Sequence, residues 1–163
     1  MNDYKKLGRV IQYLRATIGL PLMVSMHAVD SIRWYVDAAF AVHNDMKSHT
    51  GAIVTFGKGE AYAKSSKQKL NTKSSTEAEF VGVDDILTQM LWTRYFLVEQ
   101  GYSIKDNVVY QDNQSAMKLE INGKKSNSKR TRHINIRNYF ITDHIAANEV
   151  SVEYCLTLYT IGD

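Results

Sequence analysis

One cysteine, Cys155, and one proline, Pro21, stand among 163 residues, so no intrachain disulfide can form and the backbone carries few built-in stops. No Cys/His spacing of the zinc type occurs, which excludes a zinc-organised domain. No stretch approaches the roughly 18 uninterrupted apolar residues of a membrane-spanning helix. The opening Met1-Asn2-Asp3-Tyr4-Lys5-Lys6 is not followed by the apolar core of a signal peptide. The expectation is one globular, non-secreted domain in a reducing intracellular setting, with no membrane partner. A formal charge of +3 is too small to identify an acidic partner. Its distribution says more, because Lys124, Lys125, Lys129, Arg130, Arg132 and Arg137 crowd into one short segment.

With 44% hydrophobic residues, the chain can bury a substantial core. Tyr4, Leu7, Ile11, Leu14 and Ile18 recur at spacings of three and four, which predicts an amphipathic helix over 3–18 that ends at Gly19 and Pro21. Short strands are expected at Leu22-Met23-Val24, at Ile32 to Asp37, at Gly51 to Phe56 and, after the turn Gly57-Lys58-Gly59, at Ala61-Tyr62-Ala63. The polar run Lys64 to Lys73 reads as a loop. Ser74-Ser75-Thr76-Glu77 has the capping-box pattern that opens a helix. Phe80, Val83, Leu87, Met90, Leu91 and Val98 then define its apolar side, and Gly101 closes it. A strand from Asn107 to Asp112, a short helix over 115–119, a helix over 134–148 and a strand from Val150 to Tyr154 complete the order. That order implies an α/β chain with a mixed sheet flanked by helices. Trp34 and Trp92 are assigned to the core.

Two predicted strands end in acids, Asp37 and Asp112, and one helix begins with Glu77. Ends of strands are where sites of α/β folds assemble. Clustered carboxylates repel one another unless a cation neutralises them, and a hard, oxygen-preferring ion such as Mg2+ is the expected occupant. Two such ions can activate a water and stabilise the leaving oxygen of a phosphodiester. Taken singly, each acid has a plainer reading. Glu77 is a capping residue, Asp112-Asn113 a strand-to-turn junction and Asp37 a strand terminator. Glu79 lies about 200° from Glu77 around the helix and is assigned to the surface.

Several blocks carry a family resemblance. Tyr35-Val36-Asp37-Ala38, Ser48-His49-Thr50-Gly51, Lys67-Gln68-Lys69, Ser74-Ser75-Thr76-Glu77-Ala78-Glu79-Phe80, Asp112-Asn113-Gln114-Ser115-Ala116 and Arg130-Thr131-Arg132-His133-Ile134 stand in an order that resembles the ribonuclease H domain of copia-type retrotransposon Pol polyproteins. The resemblance implies an RNase H-like five-stranded mixed sheet. It also implies metal ligands at Asp37, Glu77, Asp112 and, from Ile161-Gly162-Asp163, Asp163, with Mn2+ able to replace Mg2+. Residues 1–30 look like the connecting helix and segment from the reverse transcriptase region, and 31–163 like the RNase H-like domain. The family continues past the last aspartate into a further helix, where this chain has Asp163 as its final residue.

The implied activity is metal-dependent hydrolysis of the RNA strand of an RNA/DNA hybrid during reverse transcription. The reverse transcriptase and integrase parts of the polyprotein are the implied partners, and a cytoplasmic retrotransposon particle the implied setting. Lys129, Arg130, Arg132 and His133 are candidate phosphate contacts, and Asn113, Gln114 and Ser115 candidate donors to 2′-hydroxyls. Two other readings stand beside this one. One is a degenerate fragment that keeps the fold and binds nucleic acid without cutting it, and the other is an integrase-like nuclease of the same fold.

Overall fold

The parallel pairing of two strands that are far apart in sequence organises the chain. In a computed structural model that describes residues 2–26, 30–122 and 132–156, strand β2 (Ser31–Ala39) lies at the centre of a five-stranded sheet. It pairs antiparallel with β3 (His49–Thr55) and parallel with β6 (Asp106–Gln111). β5 (Tyr62–Lys67) flanks β3 and β7 (Ser151–Tyr154) flanks β6, so the order across the sheet is β5-β3-β2-β6-β7. This is the expected mixed sheet: a meander, then two strands that return in parallel. Two short segments, β1 (Ser25–Met26) and β4 (Gly57–Lys58), pair with each other beside it.

Alternation along β2 explains why it is central. Ile32, Trp34, Val36 and Ala38 are buried on one face, while Arg33 and Ala39 reach solvent, a period of two that suits a strand covered on one side. The cover is α2 (Ser75–Glu99). Its Phe80, Val83, Ile86, Leu87 and Met90 join Trp34, Val36, Ala52, Val54 and Val109 in one apolar core. At Gly82 a Cβ would lie 3.5 Å from Val36 Cγ1 and 3.6 Å from Ala38 Cβ, ordinary contact distances that leave room for a methyl and little more. The Trp34 indole N–H donates to Asn107 Oδ1 at 3.1 Å, and the Asn107 amide donates to the Glu149 carbonyl at 3.1 Å. The buried Asn107 carboxamide is thereby satisfied at both its oxygen and its nitrogen.

Helices α3 (Gln114–Asn122) and α4 (Arg132–Ala146) complete the described fold. Helix α2 closes as the sequence implied, with Gly101 at φ 90° just past the C-cap Gln100, a left-handed conformation that glycine adopts without strain.

Three expectations differ from the structure. The run from Lys64 to Lys67 is not loop but the last four residues of β5. An edge strand has a ladder partner on one side only, so it tolerates a polar sequence with no apolar alternation. The strand expected at 22–24 forms instead as the two residues Ser25–Met26. Trp92 is 58% exposed rather than buried, and stacks on Phe96 with ring centroids 5.2 Å apart. Helix α1 (Asn2–Thr17) forms where predicted, yet its apolar side chains stay in solvent, with Leu7 56% and Ile11 56% exposed.

Stability should follow this division. Phe80→Ala, which empties a fully buried site, is expected to lower the unfolding free energy by about 3–5 kcal/mol in chemical denaturation. Leu7→Ala should change it by less than about 0.5 kcal/mol.

Candidate metal centre

The ladder between β2 and β6 runs in register from Ser31↔Asp106 to Tyr35↔Tyr110. Asp37 and Asp112 follow that last pair at the same interval on each strand, so both acids stand just past the end of the parallel ladder, Asp112 one residue beyond β6 and Asp37 still paired with β3, two residues before β2 ends. The Tyr35 and Tyr110 rings stack below them at 5.1 Å. Across β2 from Asp37 lies Gly51, which has no side chain to cover the acid.

The third carboxylate comes from α2, and it is not the expected one. Glu77 has the place its capping pattern gives it. Its N–H donates to Ser74 Oγ at 3.1 Å and its carboxylate accepts the backbone N–H of Lys73. Glu79 points the other way, into the sheet, and one carboxylate oxygen from each of Asp37, Glu79 and Asp112 lies within 4.8 Å of the other two. Thus the structure brings Asp37 and Asp112 together as expected, puts Glu79 where Glu77 was expected and overturns the surface assignment of Glu79. The helical wheel held the signal. Glu79, Val83, Ile86 and Met90 fall on one stripe at spacings of three and four, and the last three are core residues.

Glu79 is 6% exposed. Burial, then the neighbouring charges of Asp37 and Asp112, push its carboxyl up to about 8, opposed by the Ala38 backbone N–H that donates to it. Its Oε2 is buried without a hydrogen-bond partner, an arrangement that costs free energy unless a cation or proton joins it. Three carboxylates, with no nitrogen or sulfur donor among them, form a set suited to a hard divalent ion such as Mg2+ or Mn2+. The residues present fit such an ion, and Asp37, Glu79 and Asp112 are the ones that would hold it.

The other candidates fall in different places. Asn113 caps α3: its Oδ1 accepts the backbone N–H groups of Ser115 and Ala116 at 3.0 and 3.1 Å. Gln114 and Ser115 are exposed immediately beyond Asp112, free to meet a ligand at the rim. Arg132 and His133 open α4. Lys129, Arg130 and Asp163 lie outside the described residues.

Comparison with known proteins gives this geometry a context. The chain is 34% identical, over 144 residues and 88% of its length, to the retrovirus-related Pol polyprotein from transposon TNT 1-94 of Nicotiana tabacum. It is 30% identical over 159 residues, 96% of its length, to that of transposon RE1 of Arabidopsis thaliana. The chain is a homologue of these Pol polyproteins. It spans 11% of their length. No protein-family model matches it. Among solved structures, LC11-RNase H1, isolated from compost, superimposes with a TM-score of 0.58 at 11% identity, covering 80% of this chain and 88% of that one. The foamy viral protease-reverse transcriptase in complex with RNA/DNA hybrid gives 0.55 at 12% identity, covering 85% of this chain and 20% of that one. The fold is therefore that of ribonuclease H, carried by a Pol homologue with a carboxylate cluster at the rim of its sheet.

Two buried acids in this RNase H-like domain govern the response to pH. The Glu79 carboxyl titrates higher in the folded chain than in the unfolded one, so the folded state holds the extra proton and its stabilising effect is complete below the unfolded value. It is lost as pH rises toward about 8. Glu120, fully buried on α3 and also pushed up to about 8 by burial, adds a slope of the same sign. Metal-free unfolding free energy should fall between pH 5 and 8 at roughly 1.4 kcal/mol per pH unit for each carboxyl. In denaturant titrations Glu79→Gln should remove about half of that slope. An unchanged slope would show that Glu79 is ionised in the folded chain.

Proposed function

We propose that this chain is a metal-dependent ribonuclease H that hydrolyses the RNA strand of RNA/DNA hybrids within a copia-type retrotransposon Pol polyprotein. The observation that carries the reading is the convergence of Asp37, Glu79 and Asp112 just past the end of the parallel ladder. Homology to Pol polyproteins supports it, as does likeness of fold to a protein solved with an RNA/DNA hybrid. Asp163 is the fourth acid of the proposed set.

When bound, divalent ions supply the activated water and the positive charge that a phosphodiester displacement requires. The chain's own residues do the rest. Asp37 and Asp112 present carboxylates from just past a rigid strand ladder, which fixes their separation. Glu79, held by the Ala38 N–H and shielded by the core, presents the third from the helix side. Gln114 and Ser115 supply exposed donors next to Asp112, placed to meet the 2′-hydroxyls that distinguish RNA from DNA. Lys129, Arg130, Arg132 and His133 are the proposed phosphate contacts, which set affinity without sequence preference. The exposed apolar stripe of α1 is proposed as the junction with the reverse transcriptase part, with the integrase part a further neighbour and an intracellular particle the setting.

A labelled RNA/DNA hybrid incubated with the chain and Mg2+ tests the reading. Asp37→Asn, Asp112→Asn and Glu79→Gln should each slow RNA-strand cleavage by at least about 100-fold, whereas Glu77→Gln should keep most of the rate. Full activity in Glu79→Gln would overturn the site. Hybrid binding without cleavage in the parent chain would favour the degenerate fragment.

A further inference from the structure

Two glutamines flank the first turns of α2 where nothing in the sequence pattern marks a polar core. Gln68, just past β5, is 1% exposed, and Gln111, the last residue of β6, is fully buried. The Gln68 carboxamide donates to the Ala78 carbonyl at 2.8 Å and to Thr50 Oγ1 at 3.0 Å. That of Gln111 donates to the Glu79 carbonyl at 3.3 Å. Consecutive peptide carbonyls on the helix are thus tied from two directions, by a group beside β5 and by the strand that leads into Asp112. Carbonyl oxygens cannot donate to one another, so only this orientation of each amide satisfies the contact.

The arrangement is costly as packing alone. Gln68 Oε1 and Gln111 Oε1 are both buried without a partner, and an unpaired buried acceptor costs about 1–3 kcal/mol. An apolar side chain of the same length would fill either space without that penalty. The ties also act where position matters most. A side chain at a metal centre has to be held to within about half an ångström, and groups behind it usually do the holding. Because they hold two consecutive carbonyls, the two amides oppose any slide of α2 along the sheet at the residue that bears the carboxylate.

We propose that Gln68 and Gln111 are positioning residues that set the Glu79 carboxylate against Asp37 and Asp112. The inference rests on the reading of these three acids as metal ligands, and it is tested without activity by measuring Mn2+ binding to the chain through the electron paramagnetic resonance signal of free Mn2+. The parent chain should bind Mn2+, and Asp37→Asn should abolish binding. If either fails, the metal-centre reading is wrong. Given those results, Gln68→Met and Gln111→Met, shown folded by circular dichroism and by an unfolding temperature at least equal to that of the parent, should each weaken Mn2+ binding by about 10–100-fold. Should a methionine variant not fold, Gln68→Asn or Gln111→Asn replaces it with the same expectation. In a Glu79→Gln background the glutamine substitutions should change affinity by less than about 2-fold, because they act through Glu79. Folded glutamine variants that bind Mn2+ like the parent, or losses that simply add to that of Glu79→Gln, would overturn the proposal.

Discussion

Repulsion among three carboxylates is the constraint on which the rest of this structure depends. One oxygen from each of Asp37, Glu79 and Asp112 lies within 4.8 Å of the others, and Glu79 is buried as well. Burial, and after it the charges of Asp37 and Asp112, push the Glu79 carboxyl up to about 8. The fold forces the contact all the same: the parallel ladder of β2 and β6 ends just before the two aspartates, and a long helix packed on that sheet brings Glu79 to them. Stability of the empty site and affinity for a cation are therefore opposed. The folded chain keeps a proton on Glu79 that a divalent ion would displace.

Much of this was legible in the residues. Asp37 and Asp112 close β-branched and aromatic runs that are clear in the sequence, although β2 continues two residues past Asp37, and Ser74 to Glu77 marks the start of α2. The capping pattern drew attention to Glu77, which has a structural role at the start of α2, whereas the helix acid that meets Asp37 and Asp112 is Glu79. Glu79 sits on the buried stripe with Val83 and Ile86, but an acid on an apolar stripe looks like an exception until the sheet opposite is known to carry two more acids. Gln68 and Gln111 left no local signal at all. Their burial depends on which strand each residue meets, and that is a property of tertiary arrangement.

Burial was also the quantity that periodicity could not supply for α1 and Trp92. The three-and-four spacing in α1 correctly predicts a helix with an apolar face, and it is silent about what covers that face. Among the described residues the stripe is exposed. The polar strand β5 shows the converse, since an edge strand needs no alternation to form.

The most direct test of the account is the number of protons released when Mg2+ binds at pH 7, measured by titration calorimetry in buffers of different ionisation enthalpy. Because Glu79 titrates near 8 in the metal-free chain, the account predicts release of close to one proton per binding event, lost in Glu79→Gln. Binding without proton release, or release that persists in Glu79→Gln, would contradict it.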